Sequence, residues 1–200
     1  MVECFITESA AEKNARDPSE TFERVRLALE IGQKLPHPVD PLILIMTALF
    51  DDLGRRLTGD ASISGFMAAA FADSFLKVTS VSDVDRLQIA RALAKFGARG
   101  VVPLDSVEQM VLSDADKVGR LGMVGVITEV SRASGSRSVA LKRYLEKSEN
   151  QFEGLNFQES KQVAETLFHQ TRVLVESLAK SYELRPESLD QIDFPIHRPS

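Results

Sequence analysis

The chain has 200 residues, 44% of them hydrophobic and 26% charged, a balance that fits one soluble globular domain with a full core. A net charge of −5 argues against a nucleic-acid partner, because phosphate backbones are bound through basic faces. The single cysteine, Cys4, excludes a disulfide within the chain, the greasiest run is too short to span a bilayer, and "MVECFITESA" lacks a signal-peptide pattern, so a soluble, cytoplasmic protein with no membrane role is expected.

Periodicity is helical throughout, with no alternating strand pattern and no hairpin signal. "SETFERVRLALEIGQKL" places Phe22, Val25, Leu29 and Leu35 near one helical face, and Pro36 and Pro38 then stop the helix. Asp40 reads as the N-cap of the next helix, with Pro41 in the first turn, where a missing N–H does no harm. That helix runs through "PLILIMTALFDDLG" and has almost no polar face, so it belongs at the centre of the domain with Asp51 and Asp52 near the interior. A small-residue helix follows over Ser62–Val78, whose alanine run Ala68–Ala70 reads as core packing.

Ser82 and Asp85 stand in capping-box positions before "VDRLQIARALAKFG", and Gly97 is a plausible terminator. "LDSVEQMVLSDADKVGRLG" supplies one or two helices and "SRSVALKRYLEK" another, after the polar "RASGSRS" loop. Asn156 and Glu159 form a second cap and open a long helix to about Leu184, with Val163, Leu167, Leu174 and Leu178 along one stripe. The ending "RPESLDQIDFPIHRPS" is punctuated by proline and reads as a tail. His37 falls in a turn, His169 on the long helix and His197 in the tail, and each reads as a surface or packing residue.

Two segments exceed what helical periodicity requires: "ALFDDLG" at Ala48–Gly54 and "DADKVGRLGMVGV" at Asp114–Val126. With "TFERV" at Thr21–Val25 and the order of the helices, they resemble the HD-domain superfamily of metal-dependent phosphohydrolases, whose small bacterial members read roughly "H-x-x-R-V", "A-L-L-H-D-I-G" and "D-A-D-R-L-D-A-L-G-A-x-G-I". The likeness runs from about Thr21 to Glu183, and its most specific part is Asp114–Val126. It implies an all-α fold, a single-domain HD-like helical bundle over 19–184, between an N-terminal segment (1–18) and a proline-containing tail (185–200).

In that family, histidines and aspartates from separate helices hold a divalent ion that activates water against a phosphate ester. Carried over by position, the first family histidine is Thr21 and the histidine of the His-Asp pair is Asp51, while Asp52 and Asp116 keep their aspartates. Phe96 stands where the family often has a further histidine. The resemblance thus implies a carboxylate site of Asp51, Asp52 and Asp116, suited if active to Mg²⁺ or Mn²⁺ rather than zinc. Asp114 reads as a helix cap rather than a ligand. Without the nitrogen donors, one of Arg55, Arg56, Lys117 or Arg120 is near enough in sequence to take the metal's place.

Arg55, Lys117 and Arg120 are also the candidate phosphate contacts, although two arginines closing a helix are equally accounted for by its macrodipole. The expected function is that of a degenerate HD-domain protein with impaired or lost hydrolase activity. It would bind a small phosphorylated molecule or a protein partner. The alternative is a divergent Mg/Mn-dependent phosphohydrolase. The long amphipathic C-terminal helix offers a surface for a homodimer.

Overall fold

The computed structural model describes residues 18–58, 63–97, 103–133 and 135–185. Cys4, His197, the side chain of Arg56 and nearly all of both terminal segments lie outside that set. Among the described residues there are eight helices: α1 (Pro18–Lys34), α2 (Pro41–Thr58), α3 (Ser64–Leu76), α4 (Asp83–Gly97), α5 (Val107–Arg120), α6 (Met123–Arg132), α7 (Arg137–Glu153) and α8 (Gln158–Glu183). No strand occurs among them, and no helix among them is long and apolar enough to cross a membrane.

Local chemistry sets the ends of these helices. Asp40 Oδ1 accepts from the Leu42 N–H at 2.8 Å, capping α2 as its sequence suggests. The Ser82 hydroxyl accepts from the Asp85 N–H at 3.1 Å and donates to the Asp85 carboxylate at 2.7 Å, which opens α4. Ser106 does the same service for α5 through the Gln109 N–H. The turn before α5 is tied back to α4, because Asp105 accepts from Arg91 and, at 2.5 Å, from Lys95. Those two cations hold the Asp105 carboxyl down to about 2.

Helix α2 is central, packing against α1, α3, α4 and α5. From Thr47 to Gly54 every residue of it is buried, Asp51 and Asp52 included. On one side Leu44 and Ala48 join Leu27, Ala28 and Ile31 of α1, Leu112 and Ala115 of α5, and Ala164 and Phe168 of α8 in the main core. On the other side Phe50 and Leu53 meet Ala68, Ala72 and Leu76 of α3 and Ile89 and Leu93 of α4. A third cluster joins Val126 of α6, Leu141 and Tyr144 of α7, and Val175 and Ala179 of α8.

Gly54 shows why α2 and α3 lie so close. A Cβ there would stand 2.5 Å from the Ser64 carbonyl oxygen and 2.6 Å from Ala68 Cβ, so only glycine fits. Gly125, in the second motif segment, is constrained in the same way by the Arg120 carbonyl oxygen, 1.9 Å from where a Cβ would sit. Both motif glycines thus have steric reasons to be there, independent of any chemistry.

The buried faces differ from the expected ones in three helices. α1 buries Thr21, Arg24, Leu27, Ala28 and Ile31, leaving Phe22 exposed. α8 buries Ser160, Ala164, Phe168, Thr171, Val175 and Ala179, so Leu167, Leu174 and Leu178 flank the contact and stay partly in solvent. In α3 only Ala68 of the alanine run is in the core, and Ala70 faces outward. The second expected cap is also corrected. Phe157 is the N-cap residue of α8, and the Asn156 side chain turns instead to Asp114.

Candidate functional site

The centre of the polar interior is a carboxylate between two guanidinium groups. Asp51 Oδ2 pairs with Arg24 Nη1 at 3.0 Å and with Arg55 Nη2 at 3.1 Å, the latter one helical turn away on α2. Arg24 also donates through Nη2 to the Ala48 carbonyl at 2.7 Å. It thereby bolts α1 to α2, with only 6% of its side chain exposed. Asp52, the next residue of α2, is as buried as Asp51.

Ion pairing does not make the cluster cheap. Asp51 Oδ1, Thr47 Oγ1 and the Nε atoms of Arg24 and Arg55 are buried with no hydrogen-bond partner among the described residues. Each such group costs about 1–3 kcal/mol of lost hydration. Apolar residues of similar volume would stabilise the fold at least as well, and a buried ion pair is weak evidence of a purely stabilising role.

Arg24 opens on its other side to a cleft of about 620 Å³ between α1, α5, α6 and α7. Thr21 lines it from α1, Asp116 and Arg120 from α5, Glu129 and Arg132 from α6, and Tyr144 and Lys147 from α7. Asp116 pairs with Arg120 at 2.9 Å, and Glu129 with Lys147 at 2.8 Å. Arg132 has no ion-pair partner among the described residues. Tyr144 donates to the Leu121 carbonyl at 2.5 Å, and burial pushes its hydroxyl up to about 12. It is therefore a neutral wall of the cleft at any ordinary pH, anchoring the turn between α5 and α6. A smaller hollow of about 360 Å³ beside the α1–α2 connection, where His37 lies exposed, has no Asp, Glu, Lys or Arg in its lining.

The positions singled out in the sequence are thus divided. Asp51 and Asp52 are in the core of α2, whereas Asp116 is at the cleft. Among the described residues no three His, Cys, Asp or Glu side chains are grouped so as to hold a metal ion. Asp51 is spoken for by two guanidiniums, so the residues present do not fit a divalent cation. Of the three candidate phosphate contacts, only Arg120 lines the cleft. Arg55 is turned to Asp51, and Lys117 donates to the Gly154 carbonyl while standing 3.6 Å from Asp114.

Asp114 is wholly buried and caps a helix at a distance. Its carboxylate accepts from the Asn156 N–H with both oxygens at 2.9 Å, from the Phe157 N–H at 3.2 Å and from the Asn156 side-chain amide at 2.7 Å. It holds the entry to α8, and not the helix next in sequence. His169 is exposed and packs its ring against Phe168, with centroids 5.2 Å apart.

Arg24 is the residue that reading the sequence missed. It stands within "TFERV", three positions after Thr21, in the slot that the resembling motif writes as arginine. The signal was present, but a basic residue among charged neighbours on an amphipathic helix looks like part of the solvated face. The known proteins add a fold and no function. The chain is similar to the crystal structure of the Lin1889 protein from Listeria innocua, with a TM-score of 0.67 and 16% identity over 93% of this chain and 99% of that one. No family model and no curated protein matches the chain.

Proposed function

We propose that this protein is a degenerate HD-domain-like protein that binds a small phosphorylated molecule in the cleft between α1, α5, α6 and α7 and does not hydrolyse it through a metal. The observation that carries this reading is the double arginine clamp on Asp51. In the resembling enzymes the equivalent position belongs to a metal-binding histidine. Here it is a carboxylate whose charge is met from within the protein by Arg24 and Arg55. A cation entering that place would have to displace two guanidiniums and leave Arg24 buried without a counter-charge, a penalty of several kcal/mol.

The cleft is lined by four acids, Glu20, Glu23, Asp116 and Glu129, and by four bases, Arg24, Arg120, Arg132 and Lys147, and an anion would be met by the bases. Arg132 is a guanidinium without an ion-pair partner among the described residues, and Arg120 and Lys147 stand in the same lining within surface pairs that are weak enough to rearrange. Arg24 at the back of the cleft communicates any occupant to the α1–α2 contact. The test uses p-nitrophenyl phosphate as both ligand and substrate. The compound should raise the melting temperature of the wild type but not of Arg132→Ala, and Mn²⁺ should stimulate no release of p-nitrophenol. Turnover that depends on Mn²⁺ and vanishes in Asp116→Ala would overturn the proposal.

A further inference from the structure

The charges that line the cleft pair off almost completely. Two acid–base pairs close within the lining itself, Asp116 with Arg120 at 2.9 Å and Glu129 with Lys147 at 2.8 Å. Two further charges are met from outside it: Glu23 accepts from Arg26 at 2.7 Å, and Arg24 pairs with Asp51 at 3.0 Å. One acid and one base are left over. Glu20 on α1 and Arg132 on α6 are both exposed, and neither has a hydrogen-bond or ion-pair partner among the described residues, the other included.

Glu20 stands three residues before Glu23, so the α1 wall carries two neighbouring carboxylates, of which Arg26 compensates only Glu23. A cation entering the cleft would be met at Glu20, and an anion at Arg132. Arg24 in the same lining keeps a buried Nε donor without a partner, an independent sign that the cleft takes a polar occupant.

Taking the cleft as a phosphate site, as proposed above, we infer that its ligand is a zwitterion: a small phosphate ester that also carries an ammonium group. A phosphate ester alone would meet Arg132, but it would bring about two negative charges into a lining where four acids already face four bases. An ammonium on the same molecule offsets part of that charge and supplies the counter-ion that Glu20 lacks. Glu20 and Arg132 then read opposite ends of one ligand, which a purely basic pocket could not do.

The experiment is titration calorimetry of the full chain with ω-aminoalkyl phosphates of increasing chain length. Each is compared with the alkyl phosphate that has a methyl group in place of the ammonium. At the length that reaches both residues, the ammonium compound should bind about 3-fold tighter at low ionic strength, as one exposed charge pair allows. That advantage should shrink as salt is added. Glu20→Gln should bring the two compounds to equal affinity, whereas Arg132→Ala should weaken both. Because Glu20 is exposed, its variant should keep the wild-type circular dichroism and melting temperature. Binding of the alkyl phosphates with no gain from the ammonium at any length overturns the zwitterion and leaves the phosphate site standing. So does a gain that survives Glu20→Gln. Binding of neither series overturns the phosphate site itself, and the zwitterion with it.

Discussion

At the scale of single residues, the atoms around Asp51 decide what a cation would meet there. A buried carboxylate between two guanidiniums compensates both, and removing it exposes the cost of both cations. Asp51→Asn should therefore destabilise the protein by about 3 kcal/mol, read from the midpoint of urea unfolding. The partner Arg55 is partly exposed, which keeps the figure at the lower end of the usual range for a broken buried pair. Asp116→Ala should change stability by no more than about 1 kcal/mol, since the Arg120 it pairs with is half in solvent. Equal effects at the two positions would count against the clamp. The double aspartate was legible in the sequence as something unusual at the end of a buried helix. That Asp51 is met by Arg24 was not, because Arg24 is 27 residues distant along the chain.

At the scale of helices, periodicity located every element but α6 and placed the buried face imperfectly in α1, α3 and α8. The reason is shared. These helices pack closely through small or polar residues such as Ala28, Ala68, Ala72, Ala164 and Ala179, and a stripe of leucines draws the eye to the flank of the contact. Close packing also lets one helix cap another. Asp114 in α5 satisfies the first backbone N–H groups leading into α8, a role that no local motif announces. Asp114→Ala should cost about 2 kcal/mol, since it removes charge-assisted hydrogen bonds to the partly buried start of α8. Amide exchange should accelerate first over 156–160. Protection there as slow as in the wild type would show that the carboxylate is not what holds this helix end.

At the scale of the whole molecule, α2 divides the interior into a core shared with α1, α5 and α8 and another shared with α3 and α4. Phe96 spans the division. It belongs to α4 but is buried in the core of α1, α5 and α8. Phe96→Ala should destabilise by about 3–5 kcal/mol, with exchange protection in α3 and α4 lost before that in α5, as the pair of helices loses its hold on the rest. Simultaneous loss everywhere would mean that the two cores unfold as one unit.

The sequence by itself determined the all-helical class, the order and approximate limits of the helices other than α6, the caps at Asp40 and Ser82, and the burial of the two aspartates. All of these depend on neighbours within a turn or two, where backbone geometry ties spacing to contact. Only the tertiary structure decided the partners: Arg24 for Asp51, Asn156 for Asp114, Gly54 for Ser64 and Ala68. It also decided that Asp116 opens to a cleft while Asp51 does not. Those contacts join helices whose crossing angles and rotations are set by the packing of the whole core, and no pattern confined to one helix encodes which of its faces a distant helix will meet.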